Sequence, residues 1–246
     1  MKDNLRIALT FSGGGYRAAT FHLGALSYLH SVKVGEFTLL DHVVALSTIS
    51  GGTITGLRYM LGLSRGESVT DIFKELYTFL TDVELATVAM NNLASYEKGQ
   101  CASLIRTMAD IYNKELFKGA VLGDLMDQLD DIHICHFAAN ATDFTNGLAF
   151  RFQVTEKTGA KQEQATGYGL IGNNKIRIPR EVARHIRLSE VLACSSCFPS
   201  GFEPLVFPKD FVLGDSEEVK KFIAKTEPFG IMDGGIVDNQ GIELRL

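Results

Sequence analysis

The sequence predicts an α/β layer fold built on a largely parallel central sheet. Three observations carry this expectation. Two short apolar runs near the N-terminus each end in a glycine turn and lead into a helix-like segment, the stretch from about residue 69 to about 130 reads as helix throughout, and strand-like segments return after it. With 246 residues, 46% of them apolar, the chain is long enough for one large domain over 1–246 with a substantial core, and the helical stretch is an insertion within it.

The elements follow in order. Leu5 to Phe11 reads as a buried strand, and Ala18 to Ser31 as a helix that begins straight after the glycines. Val43 to Ser47 is a second short strand, and Thr53 to Leu63 has helical composition despite its β-branched start and Gly56. Within the insertion the apolar spacing predicts helices over Val69 to Leu80, Val83 to Leu93, Cys101 to Tyr112 and Val121 to Leu129. Ile134 to Asn140 and Leu148 to Val154 form an expected antiparallel pair, joined through a segment ending in Asn146-Gly147, which supplies the positive φ a hairpin loop needs. Glu156 to Asn174 is polar and glycine-rich and reads as an exposed loop. Arg180 to Leu192 starts a helix after Pro179, divided near Leu188-Ser189, and Phe229 to Met232 is a last strand that delivers Asp233. The chain stops eleven residues after Gly235, so a truncated C-terminus is one expectation.

Composition excludes several classes of function. The formal charge of −5 comes from interspersed charges rather than a block, which argues against a nucleic-acid surface. The first residues lead into an apolar run of only five, Ile7 to Phe11, unlike a secretory signal, and no run nears the ~20 apolar residues of a membrane span. A soluble, cytoplasmic protein is expected, with peripheral contact to a membrane surface left open. Four cysteines are too sparse for a disulfide scaffold. Cys194-Ser195-Ser196-Cys197 has CxxC spacing without a second such pair, and His133 and His136 sit in an alternating strand-like stretch, so packed thiols are expected rather than a metal or redox site.

The chemistry concentrates in three segments. Gly13, Gly14 and Gly15 follow the first strand, and successive glycines there let the backbone approach a carbonyl and aim N–H groups at it as an oxyanion hole. Gly13, Gly15 and Ala18 also satisfy a permissive dinucleotide turn, but the acid expected at the end of the second strand is replaced by Ser47 and Ser50. Thr48-Ile49-Ser50-Gly51-Gly52 is a partial GxSxG elbow, with Gly52 matching the second glycine and Thr48 standing where the first belongs. Ser50 is the candidate nucleophile and the Gly51 N–H a further oxyanion donor; the alternative is that Ser50 merely caps a helix. Arg17, in the first helical turn, either anchors the loop or offsets substrate charge. Two partners for Ser50 stand open: Asp233, between a strand end and the permissive pair Gly234 and Gly235, or an Asp143–His185 pair, since no histidine follows Asp233.

Phe11-Ser12-Gly13-Gly14-Gly15-Tyr16-Arg17 resembles the GGGxR loop of the patatin-like phospholipases, Ser47 to Thr53 their nucleophile elbow, and Asp233-Gly234-Gly235 their DGG motif. Asn140-Ala141-Thr142-Asp143 and the segment from Cys194 to Pro204 are similar to two supporting stretches of that family. The resemblance implies a three-layer α/β/α fold and a lipid acyl hydrolase of phospholipase A or lysophospholipase type. Its implied dyad is Ser50 and Asp233, working through an acyl-enzyme on a lipid or membrane-surface ester without a cofactor or metal. Two other readings remain: a weakly active or inactive lipid-binding scaffold in which Thr48 distorts the elbow, and a dinucleotide-binding oxidoreductase. In the insertion, Phe73, Leu76, Phe79 and Leu80 fit either a lid over acyl chains or ordinary core helices.

Overall fold

A computed structural model describes residues 5–94, 103–155 and 171–242. The elements are β1 (Ile7–Phe11), α1 (Gly15–Ser31), β2 (Lys33–Val34), β3 (Phe37–Thr38), β4 (Val43–Ile49), α2 (Gly51–Ser64), α3 (Val69–Asp82), α4 (Leu85–Ala94), α5 (Leu104–Tyr112), α6 (Leu122–Gln128), β5 (His136–Asp143), β6 (Leu148–Thr155), β7 (Ile171–Gly172), β8 (Arg177–Ile178), α7 (Arg180–Ala183), α8 (Leu188–Ser196), β9 (Leu205–Phe207), α9 (Glu217–Lys225) and β10 (Phe229–Asp233).

The main sheet runs β1-β4-β5-β6-β7-β8, with β1, β4 and β5 parallel and β6 to β8 added antiparallel beyond them. β10 pairs antiparallel with β5 and carries β9 on its other side. Crossovers between neighbouring parallel strands keep one hand, so α1 and α2 lie side by side and pack on each other. The mixed α/β expectation is met, and the antiparallel pairing of β5 with β6 is as expected, with Gly147 at φ 66° in their connection.

The helices that follow the first strands have local causes. Both α1 and α2 start at glycine turns, three residues earlier for α1 than the apolar pattern indicates, because glycines tolerate the positive φ of 138° at Gly14 and 62° at Gly15. α2 is buried along nearly its full length, from Gly51 to Gly62. α3 is capped by Ser68, whose hydroxyl accepts from Asp71 N at 3.1 Å, and it buries Ile72, Leu76 and Phe79 at helical spacing. Of the four residues that fitted either a lid or a core, Leu76 and Phe79 are in the core, and Phe73 and Leu80 are half-buried against it. Arg58, buried on α2, ion-pairs with Glu67 and with Glu75 of α3, and Lys118 reaches the same Glu75 at 3.3 Å, which ties the insertion to α2.

Several boundaries differ from the sequence reading. β4 runs on to Ile49, with Thr48 and Ile49 both buried, and the helical stretch from Arg180 is divided as expected, the break falling over 184–187 just before Leu188, while the second helix, α8, runs past Leu192 to Ser196. β7 lies inside the stretch read as loop; residues 156–170 of that stretch, and Cys101 and Ala102 at the start of one expected helix, lie outside the described residues.

Thr48 is accommodated rather than disruptive. It is fully buried, its hydroxyl donates to Ala138 O at 3.2 Å and accepts from Thr53 Oγ1 at 3.1 Å, and its methyl points at Gly56 of α2. A Cβ on Gly56 would sit 2.4 Å from Thr48 Cγ2, so the space for the threonine methyl is the side chain that Gly56 lacks. Gly56→Ala is expected to cost about 1–3 kcal/mol through overpacking, partly offset by the better helix propensity of alanine. Thr48→Ser removes the methyl and keeps the hydroxyl, so urea denaturation of the double variant should show a favourable coupling of about 1–2 kcal/mol.

Candidate active site

Two strands share one edge of β5, and this brings the chemistry together. β6 pairs along the whole of β5 on one side. On the other side β4 runs parallel as far as Ile49 opposite Asn140, and β10 runs antiparallel with Asp233 opposite Ala141. The carboxyl ends of β4 and β10 therefore meet head to head at adjacent residues of β5. The next residue of β4 is Ser50, and the last of β10 is Asp233, so residues 183 positions apart in sequence become neighbours. Asn140 braces the junction, its amide donating to Ser47 Oγ at 2.8 Å and to Thr48 O at 3.0 Å.

Ser50 sits on a strained turn. Its φ of 50° and ψ of −119° are a conformation side-chain-bearing residues rarely adopt, and Lys118 is the other positive-φ residue besides glycines among the described residues. It precedes α2 at the N-cap position, but its side chain makes no capping hydrogen bond, so the hydroxyl is not spent on the helix as the capping alternative requires. The turn is held from behind by Ser195, whose Oγ accepts from Ser50 N at 2.9 Å.

The first glycine turn packs directly on this elbow. A Cβ on Gly51 would lie 2.1 Å from Gly15 O and 2.7 Å from Gly15 N, and one on Gly52 would lie 2.3 Å from Phe11 O. Only backbone fits at such a contact. Gly14 precedes α1, Gly15 opens it and Gly51 opens α2, so their N–H groups have no acceptor within their own helices. Gly13 is placed differently: its N–H donates to Asn239 O at 3.1 Å, and it borders Ser50, whose Cβ lies 3.3 Å from where a Gly13 side chain would begin. Arg17 stands exposed in the first turn of α1. Tyr16 carries the loop to the insertion, its hydroxyl donating to Val83 O at 3.1 Å and its ring tilted against Phe79 at 5.9 Å.

Asp233 is buried, 4% exposed, and burial pushes its carboxyl above the ordinary value, while the Gly235 N–H and the Ser50 hydroxyl hold it part of the way back. Gly235 N donates to its Oδ1 at 2.7 Å, and its own N–H donates to Cys197 O at 3.0 Å. Gly234 has no room for a side chain, since a Cβ there would lie 2.6 Å from Asn140 O. The alternative pair is deployed elsewhere. The Asp143 carboxylate accepts from Asn146 N, Asn146 Nδ2 and Asn173 Nδ2 at 2.9 to 3.0 Å, and the His185 ring lies over Gly214.

Residues the motifs did not single out complete the surroundings. Asn239 is one: besides taking the Gly13 N–H on its carbonyl, its Oδ1 lies 2.9 Å from the position of a Gly235 Cβ, beside Asp233 Oδ1 at 3.0 Å from the same point. Its only sequence signal is its place six residues after Asp233. Cys194 and Cys197 are free and buried; burial pushes the Cys197 thiol up to about 12 and Cys194 well above the ordinary value, so both stay protonated and inert at neutral pH. Among the described residues no three His, Cys, Asp or Glu side chains cluster as metal ligands, and no helix is long and apolar enough to cross a membrane.

The start of α8 holds a second displaced acid. Glu190 is buried, accepts from Val212 N at 2.9 Å and from Arg187 N at 3.2 Å, and burial pushes it up to about 7 from an ordinary 4.5, with Arg187 and Arg106 restraining the rise. A carboxyl raised by folding contributes stability that is full below its unfolded value and lost as pH rises through its folded one. Thermal melts should therefore show stability declining between pH 4.5 and about 7, and Glu190→Gln should flatten that decline.

The family model for the patatin-like phospholipases matches residues 9–245. The chain belongs to the patatin-like phospholipase family. That is a family of lipid acyl hydrolases. Among solved structures, VipD from Legionella pneumophila is similar, with a TM-score of 0.46 at 14% identity over 93% of this chain and 46% of that one. This patatin-like chain thus spans just under half the length of that protein. No curated protein sequence matches it.

Proposed function

We propose that this patatin-like protein hydrolyses fatty acyl esters of lipids, as a phospholipase A or lysophospholipase, through a Ser50–Asp233 dyad and an acyl-enzyme. The observation that carries the reading is the strained Ser50, uncapped, at the point where β4 and β10 meet and beside a carboxylate pushed up by burial. Ionised Asp233 accepts the Ser50 proton as Oγ attacks the ester carbonyl, and the electron pair moves onto the carbonyl oxygen. The N–H groups of Gly14, Gly15 and Gly51 are the donors for that oxyanion, each worth about 2.7–4 kcal/mol of barrier by analogy with other oxyanion holes. Gly13 supports the loop from behind through Asn239, with Gly52, Gly234 and Gly235 allowing close approach and Arg17 at the rim.

Collapse of the tetrahedral adduct breaks the bond to the leaving alcohol, which takes the proton from Asp233. Water then attacks the Ser50 ester, giving its proton to Asp233, and the fatty acid leaves as Ser50 Oγ is reprotonated. Every proton is carried by Asp233, so the cycle needs no cofactor. The scaffold reading depends on Thr48 distorting the elbow, and the fit of its methyl against Gly56 argues against it.

Phosphatidylcholine vesicles test the substrate class. The wild type is expected to release free fatty acid, together with lysophosphatidylcholine from phosphatidylcholine if it is a phospholipase A, or with glycerophosphocholine from lysophosphatidylcholine included in the same vesicles if it is a lysophospholipase, and Ser50→Ala is expected to release none. Release of phosphocholine instead, or vesicle binding without turnover, would replace the proposal with a headgroup hydrolase or a scaffold.

A further inference from the structure

The head-to-head arrangement leaves a break in the ladder along β5. β4 ends at Ile49 opposite Asn140, β10 ends at Asp233 opposite Ala141, and the chain turns away after each. Ser50 N–H, tipped out of the strand by its positive φ, and Asn140 O, at the break, would both be orphaned there. The C-terminal turn of α8 fills the break. Ser195 Oγ accepts from Ser50 N at 2.9 Å and donates to Asn140 O at 2.7 Å, and two residues on, Cys197 O accepts from Asp233 N at 3.0 Å. Ser195 is fully buried and also meets Thr53 Oγ1 at 2.8 Å, so its rotamer is fixed from three directions.

Building on the Ser50–Asp233 reading, we infer that Ser195 is a positioning residue: with the Cys197 carbonyl it forms a clamp at the tip of α8 that holds the backbones of nucleophile and base at one separation. One hydroxyl substitutes for the missing strand neighbour of Ser50, and one carbonyl does the same for Asp233. Because both come from the same helical turn, the two halves of the site, which lie on strands of opposite direction, share one rigid reference. The clamp bonds the backbones of Ser50, Asn140 and Asp233 and meets the Thr53 hydroxyl. Its effect is therefore on alignment, which governs kcat, rather than on binding.

The test combines a catalytic readout with a structural one. Ser195→Ala removes the acceptor for Ser50 N–H and the donor for Asn140 O while leaving the Cys197 carbonyl in place. With 4-nitrophenyl butyrate as the probe, kcat is expected to fall about 100-fold, the scale of an ångström-sized misplacement, with KM within about 3-fold of wild type. The acid limb of the kcat profile should move to higher pH, since a drifting Ser50 hydroxyl no longer restrains the rise of the Asp233 carboxyl. In parallel, amide hydrogen exchange at Ser50 should accelerate at least about 10-fold relative to wild type, a readout that needs no turnover. Should Ser195→Ala not fold, Ser195→Cys keeps the volume with a weaker acceptor and donor, and the same changes are expected at smaller size. An unchanged kcat and acid limb in a stable variant, or an unprotected Ser50 amide in the wild type, overturns the clamp. A protected Ser50 amide that Ser195→Ala exposes, in a protein that never turns over the ester, upholds the clamp and overturns the hydrolase reading alone.

Discussion

Asp233→Asn is expected to abolish ester hydrolysis, on the order of a 10⁴-fold loss in kcat, and at the same time to make the protein melt at a higher temperature at neutral pH. The two effects share one cause. Burial raises the Asp233 carboxyl above its ordinary value, and an acid raised in this way stabilises the fold fully only below its unfolded value, losing that contribution as pH rises through the folded value. At neutral pH the ionised carboxylate is held at a cost, and a neutral amide of the same shape relieves it while its oxygen still accepts the Gly235 N–H. The gain in melting temperature should shrink as the pH is lowered toward the range where wild-type Asp233 is protonated. The wild-type rate should fall over the same range, because the base is then occupied. An asparagine variant that is inactive but no more stable would leave the raised carboxyl unexplained, and one that is fully active would remove Asp233 from the mechanism.

Gly51→Ala is expected to damage stability and catalysis together. Its Cβ would fall 2.1 Å from Gly15 O, 2.7 Å from Gly15 N and 2.8 Å from Gly15 C, all of them backbone atoms, so no side chain can swing aside. The two glycine turns must separate, which costs stability of about 3 kcal/mol and draws the Gly15 and Gly51 N–H groups off their common target. Denaturation midpoints in urea and kcat on a soluble ester check both halves, with a rate loss of about 10²- to 10³-fold expected in whatever fraction folds. Gly201→Ala is the matched control, because no atom lies within 4 Å of a Cβ there, and it should change stability by less than about 0.5 kcal/mol. Equal behaviour of the two variants would mean that the glycine turns do not touch.

The parts of the site that are local in sequence could be read there, and the parts that depend on long-range register could not. A glycine turn between a strand and a helix announces itself by residue type, so Gly13 to Gly15, Ser50 to Gly52 and Asp233 to Gly235 stood out. The choice between Asp233 and the Asp143–His185 pair was open, because chain order says nothing about two strands sharing one edge of β5. Ser195 and Asn239 were missed for the same reason. A serine between two cysteines looks like small-residue packing, and its bond to an amide 145 positions away has no trace in spacing. Thr48 looked like a defect because the sequence shows the added methyl at the elbow and not the glycine of α2 that faces it. Among the elements, α9 escaped notice because it is polar along most of its length and buries only Val219, while β9 is three residues long.

The central claim is that the hydroxyl at the strained turn is the reacting atom. A fluorophosphonate forms a stable phosphonyl ester with an activated serine, so the labelled protein can be digested and the modified residue located by mass spectrometry. The added mass is expected on Ser50 alone, at a rate that collapses in Asp233→Asn. Label on Ser195 or another serine, or undiminished labelling after Ser50→Ala, would contradict the account.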